Sequence, residues 1–246
     1  MKGLPLIIVL FFLYATSCAP KHFAPVQLMN YNYGMDAARQ GEQKEMKDFL
    51  KPFADSVNLS MNEVIGSLEV QLTKSWPECS LGYFMTDAYL EMAAEKFGRR
   101  ADVALMNFGG IRLNTLGPGQ LTTRSIFELM PFDNLTILLE VTGAQLQACM
   151  DNAAARTGWP VSGATYTISN KKATDLKVGG EPVQADKKYV LVISDYVANG
   201  GDDSNALKGI PQQNIGYLQR DAIIEYVKKH KKIGKPQGDR VIKLDN

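Results

Sequence analysis

The sequence predicts an α+β domain built in layers, and three observations carry that expectation. Segments with helical and with strand periodicity mix along the chain without the regular alternation of a doubly wound sheet. Residues 189–194 are nearly all apolar, the mark of a central strand. The 246 residues are 45% hydrophobic and 22% charged, enough to close a real core in one large domain or two small ones.

The chain opens with an export signature. Lys2 supplies positive charge, residues 4–14 form an apolar run short for a bilayer span, and Ala15, Thr16 and Ser17 precede Cys18. Small residues ahead of a cysteine resemble a bacterial lipoprotein signal, with residues 1–17 removed and Cys18 lipidated as the new N-terminus. A plain secretory signal with an incidental cysteine is the alternative. Both readings place the mature chain outside the cytoplasm, and the first anchors it to a bacterial membrane. Residues 18–43 hold Pro20, Pro25, Asn30, Gly34 and Gly41 without sustained periodicity, which describes a tether. The folded domain is expected over 44–246.

Within it, the first helical pattern carries Met46, Phe49, Leu50 and Phe53, with Pro52 either interrupting it or marking an early turn. A strand is expected over 63–72. Pro77 and Glu78 open the clearest helix, in which Leu81, Phe84, Met85, Ala88, Tyr89, Met92, Ala93 and Phe97 keep one apolar face until Gly98. Residues 103–106 read as a short buried strand. Thr122 or Thr123 caps a short helix through Ile126, Phe127 and Met130. Leu135, Ile137, Leu139 and Val141 alternate as a half-buried strand. Thr142 and Gln145 have capping-box spacing and start a helix that runs to about Ala155. Tyr166 with Ile168, and Leu176 with Val178, mark two further strands. The last helix, 220–231, buries Ile223, Ile224 and Val227, and 241–244 closes with a strand.

Composition excludes several kinds of chemistry. A net charge of +1 offers nucleic acid no bulk attraction, and none is expected as a partner. With Cys18 set aside, Cys79 and Cys149 remain; a disulfide is open to them, but spacing and motif favour two buried thiols. His22 falls in the tether and His230 in the basic run 228–232, expected to be a solvated helix end. Ser194, Asp195 and Ser204 lack a histidine base, and no Gly-x-Ser-x-Gly elbow exists. Residues 200–203 lack the alternating oxygen ligands of a calcium loop. No catalytic residue, metal or cofactor is therefore expected in this chain.

The stretch richest in recognition chemistry is Asn107-Phe108-Gly109-Gly110-Ile111-Arg112. Its paired glycines let the backbone turn sharply and approach a ligand. Asn107 offers an amide able to read a base edge, and Arg112 a fixed cationic fork suited to phosphate. Alone, it reads as an ordinary strand-to-loop turn with a surface arginine.

It does not stand alone. Gly119-Gln120-Leu121-Thr122, Met130-Pro131-Phe132-Asp133-Asn134, Leu139-Glu140-Val141-Thr142-Gly143, a block over 175–183, and Asp195-Tyr196-Val197-Ala198-Asn199-Gly200-Gly201-Asp202 follow in order. Together these blocks resemble the C-terminal domain of the 5′-nucleotidase family, shared by UDP-sugar hydrolases and ecto-5′-nucleotidases. The likeness runs from about Lys44 to the last residue. It implies stacked α and β layers with mixed sheets. It also implies that Phe132 and Tyr196 sandwich a base, Tyr196 standing where the family usually has Phe. By the same resemblance Asn107 touches the base, Arg112 the phosphate and Asp202 the ribose hydroxyls, on backbone loops at Gly109, Gly110, Gly200 and Gly201. Two departures stand out. Glu78-Cys79-Ser80-Leu81-Gly82-Tyr83 replaces Glu-Ser-x-x-Gly-Asn, and Asp203-Ser204 replaces the Gly-Phe/Tyr after the ribose aspartate, which is expected to stiffen or reshape that loop.

In the family, hydrolysis belongs to an N-terminal metallophosphoesterase domain with two metal ions, and two histidines cannot furnish that ligand set. The resemblance implies the nucleotide- or nucleoside-binding half of a 5′-nucleotidase-type phosphohydrolase, acting in extracytoplasmic nucleotide breakdown. A separate metallophosphoesterase chain would bring the divalent metals. Two other readings stay open: a non-catalytic nucleotide- or nucleoside-binding lipoprotein, and a fold retained for protein contacts.

Overall fold

Two capping boxes and two long apolar strands organise the chain. The computed structural model describes residues 44–156 and 158–244. The expected signal peptide, Cys18, His22 and the tether lie outside them. In chain order the elements are α1 (Lys44–Met61), β1 (Val64–Leu68), β2 (Leu72–Thr73), α2 (Ser80–Phe97), β3 (Val103–Leu105), β4 (Thr115–Leu116), β5 (Gly119–Thr122), α3 (Thr123–Leu129), β6 (Leu135–Thr142), α4 (Gly143–Ala155), β7 (Val161–Ser162), β8 (Ala164–Ser169), β9 (Lys172–Val178), β10 (Glu181–Pro182), β11 (Lys188–Ser194), α5 (Asp195–Ala198), β12 (Gln212–Leu218), α6 (Gln219–His230), β13 (Lys232–Ile233) and β14 (Val241–Lys243). Residues 50–246 form one compact unit, and the first six residues of α1 belong to the unit before it.

The central sheet runs β12-β6-β11-β3-β7. β11 pairs antiparallel with β6, from Lys188 opposite Thr142 to Ser194 opposite Thr136, and parallel with β3. Side chains alternate across each strand, so the sheet feeds two cores. Ile137, Leu139, Val141, Leu191 and Ile193 enter one, with α4 and the strands β8 and β9. Leu138, Val190 and Val192 enter the other, with α2 and α6. The result is an α+β domain of stacked layers with mixed sheets. β8 and β9 belong to a second sheet, β10-β9-β8-β14, and a third runs β13-β1-β5.

This layering corrects the half-buried reading of β6. Leu138 is as buried as its neighbours, and only Glu140 of that strand is fully exposed, because layers cover both faces. The single strand expected over 63–72 is two, β1 and β2, separated by exposed Glu69, Val70 and Gln71. Pro52 does not end the first helix: α1 continues to Met61 with Pro52 inside it, and none of its residues is buried. Arg124 fastens the last turns of α1 by donating to Asn58 Oδ1 at 2.9 Å and Asn62 Oδ1 at 3.3 Å. The basic end of α6 is not simply solvated either. His230 Nε2 lies 2.9 Å from Glu91 Oε1, its ring rests on Tyr226, and Lys229 bridges Glu91 and Glu95.

Local sequence sets the boundaries well. Cys79 caps α2 by accepting from Gly82 N at 3.3 Å, and Gly98 ends the helix in the left-handed region at φ 60. Thr122 caps α3, boxed with Ser125. At the head of α4, Gln145 N donates to Thr142 Oγ1 at 3.2 Å while Thr142 N donates to Gln145 Oε1 at 2.9 Å. Cys79 and Cys149 are free and buried, and burial pushes the Cys149 thiol up to about 12.

The C-terminal strand is clamped onto α2. Arg240 donates from both guanidinium ends to the Asp87 carboxylate, at 2.6 and 2.9 Å, and again to Ser162 Oγ at 2.6 Å. Glu78 Oε1 accepts from Tyr83 OH at 2.6 Å and from Val241 N at 3.1 Å. Tyr83, at the position where the resemblance has Asn, is thereby a buried structural residue.

Because β6 passes directly into α4 at the Thr142 box, Thr142→Ala should remove about 1 kcal/mol of stability. In a domain of this size that lowers the melting temperature by roughly 2–4 °C. Thermal unfolding followed by circular dichroism checks it, and an unchanged curve would mean the box contributes nothing at this junction.

Candidate functional site

Strand direction brings the site together. β3 and β11 are parallel neighbours, so the loops after Leu105 and after Ser194 leave the sheet at the same end. β6 is antiparallel to β11, so the segment that enters it, 130–134, arrives at that end too. These three loops enclose a cavity of about 360 Å³ lined by Asn107, Gly109, Gly110, Phe132, Asn134, Tyr196 and Asp202.

Four of the five expected side chains line it. Asn107 is buried, and its Nδ2 donates to Asp202 Oδ2 at 2.7 Å. Tyr196 OH donates to Asp202 Oδ1 at 3.3 Å. Each carboxylate oxygen of Asp202 keeps a lone pair for a ligand after these bonds. Phe132 and Tyr196 are 37% and 47% exposed, which rules out Phe132 as a core residue and leaves two aromatic faces for a planar ligand. Arg112 lies at the edge rather than in the lining: its guanidinium carbon is 5.4 Å from the Phe132 ring centre, and Nη1 is 3.5 Å from Gly109 O.

The glycines have separate reasons. A Cβ at Gly110 would stand 2.3 Å from Met106 Cε, and one at Gly201 would stand 2.5 Å from the Tyr196 ring. Gly200 has φ 94, beyond what a side chain tolerates comfortably.

The departure at Asp203-Ser204 has a visible consequence. Asp202 and Asp203 both hold positive φ, 50 and 56, a conformation that costs a non-glycine residue about 1 kcal/mol or more. α4 supplies the offsetting bonds. Asn152 Nδ2 donates to Asp202 O at 2.8 Å and to buried Ser204 Oγ at 3.2 Å, and Arg156 pairs with Asp203. The loop is a strap fastened to a helix, with Asp202 in the lining of the cavity.

Sequence reading passed over the residues that hold the rings. Asp195 Oδ1 accepts from Leu135 N at 3.0 Å and from Tyr196 N at 2.9 Å, joining the two ring-bearing loops. Arg220, nearly buried, pairs with Asp133 at 2.7 Å, donates to Phe132 O at 3.2 Å and stacks on Phe127 at 4.0 Å. Asn134 O accepts from Gln219 N at 2.9 Å. The available signals were Asp133 and Asp195, each an acid next in sequence to a ring-bearing residue, Phe132 and Tyr196. Among the described residues no group of three or more His, Cys, Asp or Glu is placed to hold a metal ion. These residues do not fit a two-metal centre.

The sequence and the fold match known proteins. The family described as "5'-nucleotidase, C-terminal domain" matches residues 64–209. The chain is 25% identical over 223 residues to a 5'-nucleotidase of Vibrio parahaemolyticus, aligning 83% of this chain with 38% of that protein. It is 25% identical over 201 residues to Protein UshA of Escherichia coli, 76% of this chain against 35% of that one. The chain thus spans less than two fifths of the curated relatives it matches here. Among solved structures it is similar to a 5'-nucleotidase precursor from Thermus thermophilus, with TM-score 0.72 and 23% identity over 82% of this chain and 44% of that one. The matched span runs from β1 past the Asp202 strap and takes in every loop of the cavity, and on that match the chain belongs to the family of 5′-nucleotidase C-terminal domains.

Proposed function

We propose that this chain is the nucleotide- or nucleoside-binding half of a 5′-nucleotidase-type phosphohydrolase, with hydrolysis performed by a metallophosphoesterase supplied by a separate chain. The observation that carries the reading is one cavity lined by two solvent-facing rings, Phe132 and Tyr196, and by the hydrogen-bonded pair Asn107 and Asp202. Rings bind a base by stacking, an oriented carboxylate accepts from a diol, and the Asn107 amide faces a base edge. Arg112, beside Phe132, is the group for a 5′-phosphate at the cavity edge. The partner would bring its own divalent metals, and Cys18 would tether the chain to a bacterial membrane outside the cytoplasm.

Calorimetry on the full chain with adenosine, AMP and an adenine ligand lacking the ribose diol separates the roles. Phe132→Ala should weaken adenosine and AMP alike, by about 1–3 kcal/mol for a lost stacking partner. Arg112→Ala should cost AMP about 1.5–3 kcal/mol and leave adenosine nearly unchanged. Asp202→Asn should hurt ribonucleosides more than the diol-free ligand. Equal losses of adenosine and AMP in Arg112→Ala would make that residue structural and remove the phosphate role.

The purified chain with Mg²⁺, Mn²⁺ or Zn²⁺ should release no phosphate from 5′-AMP or UDP-glucose. Metal-dependent turnover that follows the protein through every purification step would overturn the division of labour.

Cys18 should be the acylated mature N-terminus, carrying two or three chains because one gives only marginal membrane binding. Intact mass after detergent extraction reads this directly; an unmodified chain beginning elsewhere removes the anchor.

A further inference from the structure

One long helix of the fold buries none of its side chains. That helix is α1, yet its sequence is patterned. Leu50, Phe53, Val57 and Met61 recur at helical spacing and make one apolar stripe, while Lys51, Asp55 and Asn58 lie on the other flank. Within the helix Met46 extends the stripe by a turn, and Leu50, Phe53 and Val57 are large apolar side chains open to solvent. Arg124 donates to Asn58 and, in the turn after the helix, to Asn62, so the polar flank is the one fastened to the domain and the stripe faces outward. Among the described residues no helix is long and apolar enough to cross a membrane. α1 has the other membrane geometry, an apolar face that can lie in a surface and a polar flank that stays above it.

Positive charge stands at the foot of this helix. Glu63, two residues beyond α1, pairs with Lys228 Nζ at 2.9 Å, which brings the last turn of α6 against it. The basic run continues from there: Lys232 on β13 is opposite Ser67 of β1, and Lys231, Lys232 and Lys235 are all exposed. Lys229 is held by Glu91 and Glu95, but those three lysines form no ion pair among the described residues. On the helix itself Lys51 and Asp55 pair at 2.6 Å, so the pull on anions comes from the run. The cavity is clear of this surface. Thr123, at the start of α3, donates its N–H to Glu63 O at 3.1 Å, whereas the Phe132 loop leaves the opposite end of α3.

We propose that this face docks on a membrane: the apolar stripe of α1 lies in the headgroup region of an anionic bilayer, and Lys231, Lys232 and Lys235 meet its phosphates. The inference rests on the export reading for access to a membrane and is independent of what the cavity binds. Exposed lysines beside an apolar stripe complement anionic headgroups, with an attraction that fades as salt rises. The tether expected over 18–43 ends at the first residue of α1. A flexible chain of that length spans roughly 25–30 Å, so an anchor at Cys18 keeps the helix within reach of the same surface. With acyl chains already holding the protein, the helix adds orientation more than affinity. It sets one side of the domain on the lipid and leaves the cavity, at the far end of α3, open to ligands.

Flotation of the mature chain, residues 18–246 made without acyl groups, tests the surface apart from the anchor. It should float with vesicles of phosphatidylglycerol and phosphatidylethanolamine, and at least about tenfold more weakly with phosphatidylcholine vesicles or at high salt. Leu50→Gln with Val57→Gln should lower affinity for both vesicles by about tenfold or more. Because neither side chain is buried, the melting temperature of that variant should not move. Lys231→Gln with Lys232→Gln should lower only the phosphatidylglycerol binding, by roughly fivefold per lysine. Native chain that does not float, or flotation unchanged by the Leu50 and Val57 substitutions, overturns the proposal. A native dimer that those two substitutions convert to monomer, with no vesicle bound, overturns it as well and gives the stripe to a second copy of the chain. Unmodified Cys18 by mass, with vesicle binding lost in the Leu50 and Val57 variant, removes the anchor and leaves the docking surface standing.

Discussion

The rest of the molecule depends on the parallel pairing of β3 with β11 inside an otherwise antiparallel neighbourhood. Leu191 opposite Val103 and Val192 opposite Ala104 fix both strands to run the same way, so two loops emerge side by side. β6, antiparallel on the other flank of β11, delivers the third loop to the same end. Had β3 run the other way, Asn107 would sit at the far end of the sheet from Asp202. The register is held by apolar side chains on both faces, and a slip of one residue would exchange the contents of the two cores.

That arrangement explains why the cavity can be soft-walled yet well placed. Its lining is two exposed rings, an amide and a carboxylate, none of them core residues. Their positions come from groups just behind them. Asp195 staples the loop of Tyr196 to the start of β6, Arg220 holds the Phe132 carbonyl, and α4 fastens the Asp202 strap. Binding groups carried on loops but braced by side-chain hydrogen bonds and capped helices lose little ordering entropy when a ligand arrives.

Much of this was legible in the sequence, for identifiable reasons. Capping boxes are local, so Thr122 and Thr142 mark helix starts whatever the tertiary context. β11 reads as central because a strand covered on both faces cannot alternate. The same physics hid the true burial of β6, where polar Thr136 and Thr142 at the ends of the strand imitate alternation. β12 carried no signal, since Gln212, Gln213 and Asn214 lie at a solvent-exposed sheet edge. The five candidate residues could be named from motifs, but not their mutual contacts. Asn107 and Asp202 are 95 positions apart, and nothing local encodes the bond between them. The basic run at 228–232 misled for a like reason: Glu91 and Glu95, which meet it, belong to a helix far upstream.

The clamp at Arg240 carries a consequence for the order of events during biosynthesis. Arg240 closes on Asp87 across 153 positions of chain, and β14 completes the sheet that backs α4. A ribosome emits residues from the N-terminal side, so Asp87 on α2 and Ser162 on β7 lack their Arg240 partner until the last strand emerges. Contacts of such long sequence separation form slowly, after the entropy of closing the loop has been met. The layers around β11 can collapse earlier, yet the domain locks only once Arg240 has been made. A chain cut short before Arg240 would therefore lack both the clamp on α2 and the strand that completes the second sheet.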